Sequence, residues 1–324
     1  MKIGSLFSGG GGGDLGMMQA GHEIVFGAEI EPKAQGVFRY HYPEVFLFDD
    51  VKDVTVDALQ RNDLKIPDAI FGGSPCQDLS SAGKNAGFDG QSSHLFYEQV
   101  RVANELGVRL IIWENVHGAL FSRQGNDFAE VLGTISGFRP SVPRKGWGNS
   151  GVCIGPKRVC VWRLLDSQFL GVPQQRRRVI LVASTGDSPS RLAEVLFERD
   201  SMCRDITQVS KTDPENGQQT ARRFTTTNKN QLGLVVPTLL TKRRNNLITD
   251  PFVVEQMADG YAMRHFTPLE CERLMGWPDN YTLLGVDKKG KEFTLHDKQR
   301  YRICGNGIDA NLSRWVGTRL GLLE

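Results

Sequence analysis

The sequence predicts an α/β protein, with a mixed, mostly parallel sheet, helices on both faces and a smaller inserted unit. Three observations predict it. Short apolar runs alternate with helical stretches through the first half of the chain, the pattern of strands and crossover helices. The first run leads directly into a glycine-rich turn, Ser8 to Gly13, and then a helix. Near Ser184 the composition changes to that of a linker, and apolar periodicity stays weak to about Ala262. Residues 1–185 and 263–324 are therefore expected to form one domain and 186–262 a second.

Lys2 to Phe7 reads as a strand, and Asp14 to Gly21 as a helix that stops on glycine. Strand, glycine turn and helix start together make a cradle for a nucleotide or cofactor, because the turn allows close backbone approach and the helix start offers unpaired N–H groups. Ile24 to Glu29 is a second strand ending in an acid suited to ribose hydroxyls. A helix from Pro32 to Tyr42 and a strand from Val45 to Phe48 follow. They end at Asp49-Asp50-Val51, where an acid is placed to reach an adenine amino group. The glycine turn by itself fits a nicotinamide dehydrogenase nearly as well as a methyl-donor enzyme.

Asp68 to Phe71 is a short buried strand, closed by Gly72-Gly73 and followed by Ser74-Pro75-Cys76-Gln77. This sets a thiol at the carboxyl edge of the sheet, where α/β proteins bind ligands. The polar run from Asp78 to Ser93 reads as a loop over it. Leu95 to Leu106 has helical spacing, and Arg109 to Trp113 is a buried strand ending in Glu114-Asn115-Val116. A carboxyl group directly after four apolar residues is set up as a proton donor. A helix is expected around Asp127 to Ile135 and a long loop over residues 139–158. The chain then returns through Val159 to Leu165, and the strand from Val179 to Ala183 is preceded by Arg176-Arg177-Arg178. Alternation places Arg176 and Arg178 on one face, aimed at phosphate or carboxylate.

Composition excludes several classes. At 324 residues, 40% hydrophobic and 23% charged, the chain is an ordinary globular one, and its net charge of +2 names no partner. The apolar runs are too short to span a bilayer, and Met1 to Phe7 lacks a signal-peptide core, so a cytoplasmic protein without membrane association is expected. Six cysteines with no ligand-like spacing suit reduced thiols, neither a disulfide framework nor a metal site. The charge distribution says more. Between Asn216 and Thr249 lie Arg222, Arg223, Lys229, Lys242, Arg243 and Arg244 with no acid, among Thr, Asn and Gln side chains that read base edges and phosphates. Near the end, Arg264 to Pro278 is a helix capped by Thr267 and Gly276. Cys304 to Ile308 reads as a glycine turn that opens a last amphipathic helix through Leu320.

In order and spacing these stretches resemble the DNA (cytosine-5) methyltransferase family over nearly the whole chain outside the basic insert. The residues carrying the likeness are Phe7-Ser8-Gly9-Gly10-Gly11-Gly12, Pro75-Cys76-Gln77, Glu114-Asn115-Val116, Gln174 to Arg178, the Arg264 to Pro278 helix and Gly305-Asn306. The resemblance implies a Rossmann-like S-adenosylmethionine-dependent methyltransferase fold with a target-recognition domain, acting as a monomer on double-stranded DNA. It implies catalytic roles for Cys76, Glu114, Arg176 and Arg178, with Arg178 on the base carbonyl and Arg176 on the target phosphate. It implies donor contacts at Phe7, Ser8, Gly9, Gly11, Gly12, Glu29, Asp50, Val51, Pro75, Leu95 and Asn306. DNA contacts fall at Gln77, Ser80 and Ser81, and at Arg222, Arg223, Lys242, Arg243 and Arg244 of the insert. Thr238-Leu239 is expected to pack the insert on the core. Two departures stand out: Gly13 replaces a bulkier apolar residue, and the last motif reads Gly305-Asn306-Gly307-Ile308 in place of the commoner Gly-Asn-Ala/Ser-Val. The first is expected to loosen the donor loop. The rival readings are a tRNA cytosine methyltransferase, a nicotinamide-dependent oxidoreductase and a non-catalytic DNA-binding relic.

Overall fold

The computed structural model describes residues 1–74, 94–198, 224–225, 236–237, 252–257 and 260–324. In chain order the main elements are β1 (Lys2–Leu6), α1 (Gly12–Gln19), β2 (Glu23–Ala28), α2 (Pro32–His41), β3 (Phe46–Phe48), α3 (Val56–Arg61), β4 (Ala69–Gly72), α4 (His94–Glu105), β5 (Leu110–Val116) and α5 (Asn126–Ser136). They continue with β6 (Ser150–Ile154), β7 (Val159–Asp166), β8 (Gln174–Gln175), β9 (Arg177–Ser184) and α6 (Pro189–Leu196). After β10 (Phe224–Thr225), β11 (Val236–Pro237), β12 (Phe252–Met257) and β13 (Gly260–His265) come α7 (Pro268–Leu274), β14 (Leu284–Val286), β15 (Glu292–Thr294), α8 (Asp297–Asn306) and α9 (Ala310–Leu320).

Eight strands form the central sheet in the order β3-β2-β1-β4-β5-β9-β7-β6. The first five run parallel, while the β5–β9, β9–β7 and β7–β6 pairs are antiparallel. Strand alternation sorts the core into two layers. Leu6, Phe26, Ile70, Ile111 and Trp113 pack against α3, α4 and α5 on one face. Ile3, Phe71, Leu110, Ile112 and Val182 pack against α1, α6 and α9 on the other. A third cluster joins α2 to α7 and α8 through Val37, Leu274, Trp277, Tyr281 and Ile303, beside the glycine turn. The expected mixed, mostly parallel sheet with helices on both faces is what forms.

Several boundaries differ from the sequence reading. Glu114, Asn115 and Val116 lie within β5, paired with Ile180, Val179 and Arg178, and do not follow the strand. The loop expected over residues 139–158 contains the edge strand β6. Ser188 and Pro189 cap a helix instead of extending a linker: the Ser188 hydroxyl accepts from the Arg191 N–H, and Leu192, Val195 and Leu196 are buried in the second core layer. Residues up to Leu196 thus pack with the sheet, ten beyond the boundary expected at 186. Gly305 and Asn306 close α8, and α9 opens only at Ala310, with Asp309 as its cap. Within the expected insert, β10, β12 and β13 form a three-stranded sheet, and β11 pairs in parallel with β8. Thr238 and Leu239 lie outside the described residues. Among the described residues, no helix is long and apolar enough to cross a membrane and no cluster of His, Cys, Asp or Glu could hold a metal ion.

Candidate active site

β1 ends by turning sharply. Phe7 has φ +56° and Gly9 φ +58°, a conformation that a phenylalanine adopts only where its surroundings impose it. A side chain at Gly9 would enter open space, with no atom within 4 Å. The turn is thus a backbone cradle with room in front of it. Behind it there is none: Cβ atoms at Gly11 and Gly12 would run into the Tyr42 ring and the Trp277 indole. Tyr42 Oη donates to the Gly11 carbonyl and Tyr281 Oη to the Gly10 carbonyl, both at 3.0 Å. The Ser8 hydroxyl bonds the Ser5 hydroxyl at 3.0 Å, tying the turn to β1. At the end of β2 the Glu29 carboxylate accepts the Gly9 N–H and the Glu31 N–H, each at 2.8 Å. Burial raises the Glu29 pKa, and the Glu31 and Gly9 N–H groups offset part of the rise. Each carboxylate oxygen keeps a second lone pair for a diol. Asp50 accepts the Lys52 N–H at 3.0 Å, and Val51 beside it is buried. Open space before Gly9 and a carboxylate with free acceptor capacity fit the ribose end of an adenosine cofactor.

Both departures noted in the sequence fall here, and they meet. A Cβ at Gly13 would lie 3.0 Å from the Phe71 ring and 3.2 Å from Ile308 Cβ. Ile308 and Phe71 already fill the space that a bulkier residue at position 13 would take. The turn is therefore closely packed at Gly13, contrary to the loosening expected there. Trp277 completes the contact by donating Nε1 to the Ile308 carbonyl at 3.2 Å.

Further along the sheet edge the same logic repeats with different chemistry at β4 and β5, which lie side by side. Glu114 Oε1 is 2.9 Å from Arg178 Nε, with both side chains 10% exposed. A Cβ on Gly73 would sit 2.8 Å from Glu114 Oε2, so only glycine leaves the carboxylate its place. Trp113 Nε1 donates to Ser74 Oγ at 3.1 Å, and Asn115 Nδ2 to the Ser74 carbonyl at 3.2 Å. Two residues of β5 thus fix the chain just before Pro75. Pro75, Cys76, Gln77, Ser80 and Ser81 lie outside the described residues, as do Arg222, Arg223, Lys242, Arg243 and Arg244.

The arginines divide. Arg176 and Arg178 are buried and Arg177 exposed, as alternation requires. Arg176 is 1% exposed and donates Nη2 to the carbonyls of Gly305 at 3.3 Å and Gly307 at 2.7 Å. It faces inward, onto the turn between α8 and α9. Asn306 at that turn is exposed, and Leu95 packs on the first core layer.

Sequence reasoning passed over Asp14. Its carboxyl is 1% exposed, and burial pushes its pKa up to about 7, with hydrogen bonding from the Ser5 hydroxyl and the Asp14 N–H offsetting only part. An aspartate two residues into a glycine-rich helix start reads as an ordinary first-turn acid, and nothing local marks it as buried. Tyr42, Tyr281 and Trp277 were passed over as well, because their partners lie far along the chain.

The fold and this edge define a doubly wound α/β protein with a glycine-rich backbone cradle beside a carboxylate–guanidinium pair. The C-5 cytosine-specific DNA methylase model matches residues 1–246 and 201–321, and the chain belongs to that family. It is 28% identical over 330 residues to the type II methyltransferase M2.BsuMI of Bacillus subtilis (strain 168), covering 99% of this chain and 75% of that one. It is 24% identical over 435 residues to a protein of Escherichia phage P1 named DNA N-6-adenine-methyltransferase, covering 90% of this chain but only 57% of the relative. The structure of the Entamoeba histolytica methyltransferase EhMeth aligns with a TM-score of 0.65 over 99% of this chain and 97% of that one, at 13% identity, which speaks for the fold alone.

Proposed function

We propose that the chain methylates carbon 5 of cytosine in duplex DNA, using S-adenosylmethionine and a covalent adduct of Cys76. The observation that carries this reading is the Glu114–Arg178 pair against Gly73, with Trp113 and Asn115 fixing Ser74 two residues before Cys76. Phe7, Ser8, Gly9, Gly11, Gly12, Glu29, Asp50 and Val51 would hold the donor. When bound, it supplies an electrophilic methyl group for carbon 5.

Carbon 5 of cytosine is too weak a nucleophile to take that methyl unaided. Addition of the Cys76 thiolate at carbon 6 makes the ring an enamine and carbon 5 nucleophilic. A free thiol ionises near a pKa of roughly 8.5, so the thiolate needs nearby positive charge. Arg178 stands at the neighbouring strand end, already paired with Glu114. Glu114 holds N3 and the exocyclic amine and protonates N3 as the thiolate adds, while Arg178 holds the base carbonyl oxygen. Once carbon 5 carries the methyl, loss of its proton to a base re-forms the ring double bond and expels the Cys76 thiolate from carbon 6. Arg176 acts as a positioning residue, fixing the Gly305–Gly307 turn. The target base must leave the stack, at a cost of a few kcal/mol. Residues from about 197 to 262 are assigned to DNA recognition, with Arg222, Arg223, Lys242, Arg243 and Arg244 as its basic contacts.

The test is trapping. Duplex DNA containing 5-fluorocytosine should form a covalent complex with the wild type in the presence of S-adenosylmethionine, and Cys76→Ser should form none while still binding the donor. A serine variant with normal turnover would refute the mechanism. Methyl incorporation into tRNA and not into duplex DNA would refute the substrate.

A further inference from the structure

β5 leads at its carboxyl end into residues 117–125, a turn with an unusual backbone. Arg123 (φ 46°, ψ 46°) and Gln124 (φ 59°, ψ 30°) are both left-handed, and Gly125 follows at φ 88°. Only five non-glycine residues among those described have positive φ, and two of them are adjacent here. Side-chain-bearing residues resist this conformation, so it persists only where surrounding contacts impose it. Those contacts are present. Ser122 Oγ donates to Asp127 Oδ2 at 2.5 Å, Asn126 Nδ2 to the Arg123 carbonyl at 2.9 Å, and Trp147 Nε1 to the Gly125 carbonyl at 2.8 Å.

The turn leaves several side chains exposed. Phe121 is 55% exposed, its ring braced edge-on against His117 at 4.8 Å. Gln124 is exposed, and the Arg123 side chain is 48% exposed while facing Asp127 at 3.9 Å. A second turn lies alongside. A Cβ at Gly125 would meet Trp147 at 2.9 Å and Val142 at 3.0 Å, and between these two the chain turns at Pro143 to Gly146, displaying exposed Arg144 and Lys145. The one acid in residues 121–127 and 142–147, Asp127, is buried. The result is an aromatic ring, an amide and three cations on two adjoining turns at the carboxyl edge that carries Glu114.

We propose that this double turn is a DNA-contact element separate from the insert. Arg144 and Lys145 take two backbone phosphates, and Phe121 and Gln124 meet the sugars and base edges beside the target cytosine. Charge complementarity selects the partner, because cations with an interleaved aromatic and no exposed acid match a polyanion with stackable bases. The strained backbone at Arg123 and Gln124 leaves Gln124 exposed beside Phe121. The inference rests on the reading of the chain as a DNA methyltransferase.

The experiment measures binding of a fluorescein-labelled mixed-sequence duplex by anisotropy, with S-adenosylhomocysteine present, across roughly 50 to 200 mM salt. Wild type that retains no duplex would overturn the functional reading itself, and this inference with it. Given binding, the Arg144→Ala/Lys145→Ala variant should lower the slope of log K against log salt by about 1.8, at about 0.9 per phosphate. Phe121→Ala should weaken binding about five-fold or more, the low end for loss of an aromatic–base contact. Gln124→Gly should raise the melting temperature by relieving the backbone and still weaken binding. Arg61→Ala/Lys65→Ala removes the same charge from exposed positions preceding β4, at the opposite edge of the sheet. An equal fall in slope in that control would overturn the proposal, as would wild-type slope in Arg144→Ala/Lys145→Ala together with wild-type affinity in Phe121→Ala.

Discussion

Asp14→Asn should make the protein more stable above neutral pH and no more stable in acid. Asp14 is fully buried beside the glycine turn, where the Ser5 hydroxyl and its own N–H compensate only part of the desolvation. Burial moves its pKa from 3.8 to about 7. Between those values the folded protein keeps the proton and the unfolded chain has lost it, so the folded state binds more protons. Stability from this group is therefore fully present below about pH 4 and is lost as pH rises through about 7. At 1.36 kcal/mol per pH unit, the gap amounts to about 4 kcal/mol. Solvent screening does not reduce it, because the group is out of contact with water. Asparagine keeps the shape and cannot ionise, although its unpartnered amide costs about 1–3 kcal/mol of the gain. Urea unfolding of both proteins across about pH 4.5 to 8 provides the measurement, with the difference curve as the readout. Asp309, whose burial raises its pKa to about 6, adds a slope of the same sign but cancels in the difference. The difference curve should rise by about 4 kcal/mol from the acid to the alkaline end, because the amide cost is the same at both. That leaves the variant less stable than the wild type in acid and about 1–3 kcal/mol more stable in alkali. Parallel stability curves would refute the argument and place a solvating partner on Asp14.

Three further outcomes follow from contacts. Gly13→Leu should destabilise by about 1–3 kcal/mol through overpacking against Phe71 and Ile308, and Ile308→Ala in the same chain should recover part of the loss, with the coupling read from a double-mutant cycle in urea. Gly73→Ala places a methyl group 2.8 Å from Glu114 Oε2, so it should lower methyl transfer by about ten-fold or more while donor affinity, measured by calorimetry, holds. Glu114→Gln should lower turnover by about 10²–10⁴ with DNA affinity little changed, measured as tritiated methyl incorporation. Full activity in either of the last two would leave Glu114 a structural partner of Arg178.

The strands that carry the site were legible because each is a short apolar run ended by glycine or an acid, and burial on both faces demands that pattern. The elements that were missed lack it. β6 is an edge strand with Val152 and Ile154 exposed, so only half of an already short run turns inward. α3 has six residues and buries only Ala58 and Leu59, too few to show a period. α8 is rich in Lys, Gln and Arg and buries only Arg300, Ile303 and Cys304. At α6 the Ser-Pro pair reads equally as a linker and as a helix start, since serine before proline is also how a helix begins. Within the site, alternation gave the faces of Arg176 and Arg178 correctly and could not give the partner of Arg176. Those carbonyls lie 129 and 131 residues further along the chain, and only tertiary packing brings them to it.

That partner gives the arginine motif a physical purpose that a phosphate contact would not. Arg176 holds the Gly305–Gly307 turn, and Ile308 beyond it closes against Gly13 of the glycine turn. Arg178 holds Glu114, beside Gly73, which stands three residues before Cys76. Two residues of extended chain separate their Cα atoms by about 6.7 Å. Register against β5 fixes Arg178 opposite Val116, so it cannot slide. One short piece of strand thus ties the cradle side of the cleft to the acid side at a set distance. Under the proposed reaction this matters more than either contact alone, because methyl transfer requires two bound partners held at reacting distance, and a displacement of about 1 Å can cost 10²-fold in rate. Arg176→Lys keeps the charge and loses the fork across two carbonyls. It should therefore lower turnover more than it weakens binding of either partner, which is the mark of a residue that positions and does not touch.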